Sequence, residues 1–174
     1  MSRGFATATA FIWLWSMACA AGQALPSIAV LDFELIDDTQ DNNPATLAAQ
    51  QKRLTLISEQ LRKELNDAGL YRVLDNVPAM NYIAKLKSAQ ELRSCNGCEL
   101  DIGKRLGADL VLTAWVQKVS NLILNINIEI KRVASGQTIL NKSVDIRGNT
   151  DQSWSRGISY MVRDMVEKKQ GGRR

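Results

Sequence analysis

The chain reads LILNINIEIKRV at residues 122–133, and this stretch decides the fold class. Apolar and polar residues alternate in it, a period of two that is typical of a β-strand with one buried face and one wet face. The side chains predicted to be buried are Leu124, Ile126, Ile128 and Ile130. Those predicted to face solvent are Asn125, Asn127, Glu129 and Lys131.

The flanking segments extend this strand into an antiparallel meander. Residues 110–119 form an apolar strand before it, and residues 139–146 form another after a hairpin turn around Gly136. A helix is predicted to start at Asp151 or Ser153, because apolar residues then recur at steps of three and four. Its predicted core stripe is Trp154, Ile158, Met161, Val162, Met165 and Val166.

The upstream half alternates short apolar runs with helical patterns. Residues 25–35 and 71–75 are predicted strands, and residues 45–68 are a predicted helix that ends before Gly69. A second helix follows, with Asn76 as its N-cap and Pro78 in its first turn. The inner face of the first helix is predicted as Leu47, Leu54, Ile57, Leu61, Leu65 and Ala68, and that of the second as Val77, Met80, Ile83, Leu86 and Ala89. A short helix is predicted over residues 99–106.

The predicted element order is β-α-β-α-α-β-β-β-α. The first two strands are joined by a helix, so they should be parallel through a right-handed crossover. The fold class is therefore α/β (mixed α+β), with a single mixed sheet and helices mainly on one face. Residues 25–167 should form one domain, since no internal linker or repeat interrupts them.

The first 24 residues have the pattern of a cleavable secretory signal peptide. Arg3 precedes an apolar run over residues 11–21, and small residues allow cleavage after Ala20 or after Ala24. A lipoprotein anchored through Cys19 is the minor alternative. We expect a periplasmic or secreted protein with no membrane span after cleavage.

The charge of the mature domain is close to zero. The full chain has 22 basic and 18 acidic residues, but Arg3 leaves with the signal peptide. Four further basic residues lie within residues 168–174, a predicted disordered tail. The 17 basic and 18 acidic residues that remain do not predict a nucleic-acid-binding face.

Cys95 and Cys98 form the sharpest chemical motif. An exported C-x-x-C pair predicts a disulfide with a structural role, whereas a redox-active pair and a shared metal site are the alternatives. The chain has no histidine, so it cannot form the Ser-His or Cys-His pair of a nucleophilic hydrolase. For the same reason Cys95 and Cys98 lack the further ligands that a structural zinc site requires. No cofactor is predicted. Asp32 and Glu34 are two residues apart on a predicted strand, so they could form an acid–base pair, but nothing nominates a substrate. The aspartates of residues 37–41 resemble the start of a calcium-binding loop, and a solvated loop is the favoured interpretation.

Trp115, Gln117 and Lys118 are the candidate binding surface. On a strand, Trp115 and Gln117 project to one face, while Val116 and Lys118 project to the other. A large aromatic ring beside polar groups is typical of an interaction surface. Burial of Trp115 under a helix is the structural alternative.

Two segments carry a resemblance to known families. Residues 28–34 (IAVLDFE) and 102–113 (IGKRLGADLVLT) resemble the α/β domain shared by the amino-terminal part of TolB and by CsgG. Residues 95–99, 106–109 and 115–125 are similar to a family of short exported bacterial proteins of unknown function. The resemblance implies a TolB-N/CsgG-like fold and no activity to transfer.

These observations favour a non-enzymatic periplasmic accessory domain that binds an envelope protein. The competing hypothesis is a periplasmic thiol-disulfide oxidoreductase that uses Cys95 and Cys98.

Overall fold

The computed structural model describes residues 24–39 and 41–172, so the predicted signal peptide and Cys19 lie outside the described residues except for Ala24. The strands described are β1 (Ser27–Val30), β2 (Glu34–Asp37), β3 (Arg72–Val73), β4 (Leu110–Lys118), β5 (Ile123–Arg132) and β6 (Thr138–Arg147). The α-helices described are α1 (Pro44–Asp67), α2 (Met80–Ala89), α3 (Cys98–Arg105) and α4 (Asp151–Gly171). Short 3-10 turns cover Val77–Ala79 and Leu92–Ser94.

All six strands of the described part form one mixed sheet in the order β3-β1-β4-β5-β6, and β2 pairs with the second half of β4. β1, β2 and β3 run parallel to their neighbours, whereas β4, β5 and β6 form an antiparallel meander. The predicted mixed α/β fold, the parallel first pair and the meander are confirmed.

The single strand predicted over residues 25–35 is in fact two strands. β1 pairs with Leu110–Leu112 of β4, and β2 pairs with Trp115–Lys118 of the same strand. Between them the chain leaves the ladder, because the Phe33 N–H donates to Ser58 Oγ of α1 at 2.9 Å. A hydroxyl on a distant helix interrupts the strand, and local sequence carries no sign of it.

The larger core lies between the sheet and the two long helices. α1 and α4 pack on one face, where Trp154, Ile158 and Met161 have no exposed surface. The predicted stripe of α4 is thus buried except for Val166, which is partly buried. The predicted inner residues of β5 are buried too, with Ile126 and Ile130 fully covered. α4 begins with a capping box in which Thr150 and Ser153 satisfy each other's backbone N–H groups.

A smaller core lies on the opposite face, which corrects the expectation of helices mainly on one face. There α2 and α3 cover Ala29, Leu31 and Val111. The residues next to these in sequence point to the other face of the sheet and belong to the larger core. This cover reaches the first half of β4 and Val133, just after β5. The rest of that face, over β4, β5 and β6, carries no helix in the described part of the chain.

Some predicted helix details are wrong. Val77 and Met80 are 59% and 55% exposed, because the segment starts as a 3-10 turn and presents Ala79 inward instead. Asn76 does not cap α2, since its side-chain amide donates to the Val30 carbonyl at 2.8 Å. At the ends of the inner face of α1, the side chains of Leu47 and Ala68 are exposed.

The start of the predicted disordered tail is helical. α4 continues through Gly171, and Lys169 Nζ donates to the carbonyl of Gly69 at 3.2 Å, which fastens the helix end to the turn after α1. Within residues 24–39 and 41–172, no helix is both long enough and apolar enough to cross a membrane.

Candidate functional site: a cleft beside Trp115

Trp115 stands on the part of the sheet that the helices leave open. Its strand neighbours in register are Glu34 of β2 and Asn127 of β5, and its side chain is half-buried. Farther across the sheet, Ser143 of β6 is opposite Asn127. The predicted alternative, burial of Trp115 under a helix, therefore does not occur among the described residues.

Gln117 lies two residues along the same strand and shares this face. Its side-chain amide donates to Asp38 Oδ2 at 3.1 Å, which ties the end of β4 to the turn after β2. Trp115 and Gln117 thus remain together as surface residues, as the alternation predicted.

Lys118 does not belong to that surface. Its side chain is fully buried on the opposite face, where Nζ donates to Asp37 Oδ2 at 2.9 Å and to Thr39 Oγ1 at 3.2 Å. Burial alone would raise the pKa of Asp37, but hydrogen bonds from Thr39 and Lys118 lower that pKa to about 2. Lys118 is a structural residue because β2 supplies its counter-charge.

A cleft of about 290 Å³ opens next to Trp115, between the start of α3, the 3-10 turn Leu92–Ser94 and strands β2, β4 and β5. We call it the Trp115 cleft. Its lining residues are Ile36, Leu92, Arg93, Cys95, Glu99, Thr113, Trp115, Glu129 and Lys131.

Cys95 lines this cleft, and its partner Cys98 is the first residue of α3. Cys95 and Cys98 lie at disulfide distance, with their Cα atoms 5.5 Å apart. Gly97 between them has a φ of 92°, a left-handed conformation that glycine adopts without strain, and it precedes the first turn of α3. The closed loop therefore sets where α3 begins and where Glu99, its second residue, lies.

Charged groups on the cleft floor are linked in a chain. Glu99 is 5% exposed, and its Oε1 accepts from Lys131 Nζ at 2.9 Å. The same ammonium lies 3.3 Å from Glu129 Oε2. The hydrogen bond to Glu99, reinforced by the charges of Glu99 and Glu129, raises the pKa of Lys131.

The carboxylate of Glu34 has a positioning role. It accepts from the backbone N–H groups of Leu92 at 2.7 Å and Arg93 at 3.1 Å, and so holds the 3-10 turn against β2. Asp32 points elsewhere, to Arg62 and Lys87, which lower its pKa despite partial burial. Asp32 and Glu34, which the sequence placed two residues apart on one predicted strand, therefore bind different partners and do not form an acid–base pair.

The sequence reasoning missed Glu99, Lys131 and Arg93 as site residues. The sequence did carry one signal for Lys131. Glu129 and Lys131 alternate with the buried residues of β5, so both lie on its solvent-facing side, the side on which Trp115 also lies. The position of Glu99 had no such signal. In the described ranges, no group of acidic and cysteine side chains has a geometry that could hold a metal ion.

Fold and site together define a small mixed α/β domain in which a two-cysteine loop borders an open, polar sheet face with a tryptophan. The chain belongs to the family described as "Protein of unknown function (DUF2380)", whose sequence model matches residues 26–166. The predicted membership in a family without an assigned function is confirmed. No curated protein matches the sequence.

Solved structures share the fold at low sequence identity. The C-terminal domain of LpoB from Salmonella enterica is 16% identical with a TM-score of 0.52, over 74% of this chain and 87% of that one. E. coli LpoB is also 16% identical with a TM-score of 0.50, over 72% and 59% of the two chains. At these identities the likeness shows the fold alone.

TolB from Acinetobacter baumannii is 14% identical with a TM-score of 0.42, over 81% of this chain and 28% of that one. At that TM-score the likeness carries no argument, so the predicted relation to TolB and CsgG is not specifically supported.

Proposed function

We propose that the chain is a non-enzymatic accessory domain of the cell envelope that binds a protein partner through the open sheet face around Trp115. The observation that carries this proposal is the unequal cover of the sheet. One face is closed by α1 and α4, whereas a large aromatic ring lies only partly buried on the other. Partly buried aromatic side chains that are surrounded by polar groups are the usual anchors of protein interfaces.

The envelope location rests on the amino-terminal pattern and on the cysteine pair. Residues 1–24 have the sequence of a signal peptide, and export delivers the chain to a compartment where disulfides persist. A Cys95–Cys98 bond there holds the loop that sets the start of α3. The disulfide thus shapes the Trp115 cleft without taking part in chemistry.

Site-specific photo-crosslinking tests the proposed interface. A photo-reactive phenylalanine derivative replaces Trp115 in the exporting cell, and the matched control carries it at Tyr160, which is 51% exposed on α4. We expect an ultraviolet-dependent adduct with one envelope protein from position 115 and none from position 160. Adducts of the same size from both positions, or none from position 115, would refute the interface.

The competing function is a thiol-disulfide oxidoreductase, which the position of Cys98 at the first residue of α3 favours, since catalytic dithiols use helix starts. A glutathione redox titration separates the two functions. A structural disulfide has a potential below about −300 mV, whereas catalytic oxidants lie near −120 to −200 mV. Insulin reduction that disappears in the Cys95→Ser, Cys98→Ser variant would establish the enzyme instead.

A further inference from the structure

The Trp115 cleft contains a buried acceptor that nothing in the described chain satisfies. Glu99 Oε2 is buried and has no hydrogen-bond partner among the described residues, although Oε1 of the same carboxylate is bonded to Lys131. A buried carboxylate oxygen without a donor is destabilising, so such atoms are rare unless a ligand completes them. Glu99 lines the cleft together with Trp115.

The carboxylates near this oxygen carry more negative charge than the neighbouring cations carry positive charge. Lys131 is shared by two carboxylates, those of Glu99 and Glu129, at 2.9 Å and 3.3 Å. Arg93 does not help, because its guanidinium pairs with Glu91 and lies 3.9 Å from Glu34. Glu99 and Glu129 therefore share a single cation, Lys131, and this group of three side chains carries one net negative charge.

The N-terminus of α3 reduces this negative charge without removing it. A helix start supplies about half an elementary positive charge. Glu99 shares that half-charge with Asp101, which lies in the same first turn. A net negative charge remains at the cleft, and a cation from outside the domain would neutralise it.

The shape of the site selects the type of cation. Only one oxygen of Glu99 lacks a hydrogen-bond partner, which suits the single-point charge of an ammonium better than the two parallel donors of a guanidinium. The Trp115 ring can attract a cation over its face and pack against an alkyl chain. Ile36 and Leu92 add apolar wall, and about 290 Å³ is at the small end of ligand sites, which matches one side chain.

We infer that the Trp115 cleft binds a primary ammonium group on a short alkyl chain, as a lysine side chain of the protein partner presents it, with the Glu99 carboxylate as its counter-charge and the ring of Trp115 against its alkyl chain. This inference rests on the proposed function and names the group by which the partner is recognised.

The test titrates the mature domain with a lysine whose amino and carboxyl ends are both blocked. The neutral control ligand is the equally blocked norleucine, which has the same carbon chain without the ammonium. NMR follows the indole N–H of Trp115 and the backbone amides of residues 92–99. We expect saturable shifts at these positions with the lysine derivative and none with the norleucine derivative.

Variants assign the binding to the named groups. Glu99→Gln removes the charge with little change in shape and should weaken binding at least tenfold, whereas Glu167→Gln, at an exposed site on α4, should leave it unchanged. If Glu99→Gln unfolds, Glu129→Gln replaces it and should weaken binding several-fold. Unchanged affinity in the folded variant would overturn the inference.

Other ligands give distinct outcomes. Equal shifts with norleucine would define an apolar pocket, and shifts only with N-acetylglucosamine would define a saccharide site, so both overturn the inference. If n-butylamine binds and the blocked lysine does not, the ligand is a free amine, and the inference that a lysine side chain of the partner occupies the cleft is overturned. A crosslink at position 115 with no lysine binding would refute this inference alone and leave the proposed function standing.

Discussion

Replacing Lys118 with methionine tests whether the buried ion pair under β4 is structural. The change keeps an unbranched side chain up to the ε-carbon and removes the ammonium that pairs with Asp37 at 2.9 Å. The carboxylate side chain of Asp37 is only 16% exposed, so water replaces the lost partner incompletely. We expect the folded state of Lys118→Met to lose stability at pH 7.

The pKa of Asp37 sets the size of the loss. Lowering that pKa from 3.8 to about 2 corresponds to about 2 kcal/mol of stability, at 1.36 kcal/mol per pH unit. Lys118 and Thr39 supply this stabilisation together, so Lys118→Met should cost about 1–2 kcal/mol. The folded pKa lies below the unfolded one, so the contribution is complete above about pH 4 and disappears as the pH falls to about 2.

Urea denaturation at pH 7 and at intervals down to pH 2 measures this effect. The double variant Lys118→Met, Asp37→Asn should be less destabilised than Lys118→Met alone, because no unpaired charge remains. Lys104→Met breaks the exposed pair with Asp101 and should cost less than about 0.5 kcal/mol. Wild-type stability of Lys118→Met at pH 7, or an unchanged loss between pH 4 and pH 2, would refute the structural role.

Three further predictions concern packing, the disulfide and export. Gly157→Ala should destabilise the domain by about 1 kcal/mol in thermal unfolding, because the added Cβ would lie 2.7 Å from Ile126 Cδ1 and 2.8 Å from Ile146 Cγ2, a clash that outweighs the helix propensity of alanine. Gly171→Ala in the same helix meets nothing within 4 Å and should not destabilise, and equal effects at the two sites would contradict the packing argument. Cys95→Ser with Cys98→Ser should cost about 2 kcal/mol in urea denaturation, the loop entropy of so short a disulfide, and no loss would mean that the thiols are reduced in the mature protein. The intact mass of protein from a periplasmic extract should lack about 20 to 24 amino-terminal residues, and full-length chain in the cytoplasm would exclude export.

Local periodicity predicted much of the fold, since it records which side of an element meets the core. The alternation in residues 122–133 correctly placed Ile126 and Ile130 inward, and the stripe through Trp154 and Met161 correctly identified the buried side of α4. Such patterns repeat within one element, so a sequence displays them without reference to any other segment. The same local information placed Trp115 and Gln117 on one face of β4.

The chemistry of the site depended on pairs that only the tertiary structure brings together. Lys118 lies 81 residues from Asp37, and Glu99 lies 32 residues from Lys131, so no spacing in the sequence marks either contact. A lysine on a strand is equally compatible with solvent and with a buried counter-charge, because the choice depends on whether a distant segment delivers a carboxylate. By itself the sequence determined which residues of β4, β5 and α4 lie on the same side of their element. Only the tertiary structure decided that Lys118 is buried and that Glu99, which lines the same cleft as Trp115, has an unpaired oxygen, since both depend on the packing of β2, α3 and β5 against β4.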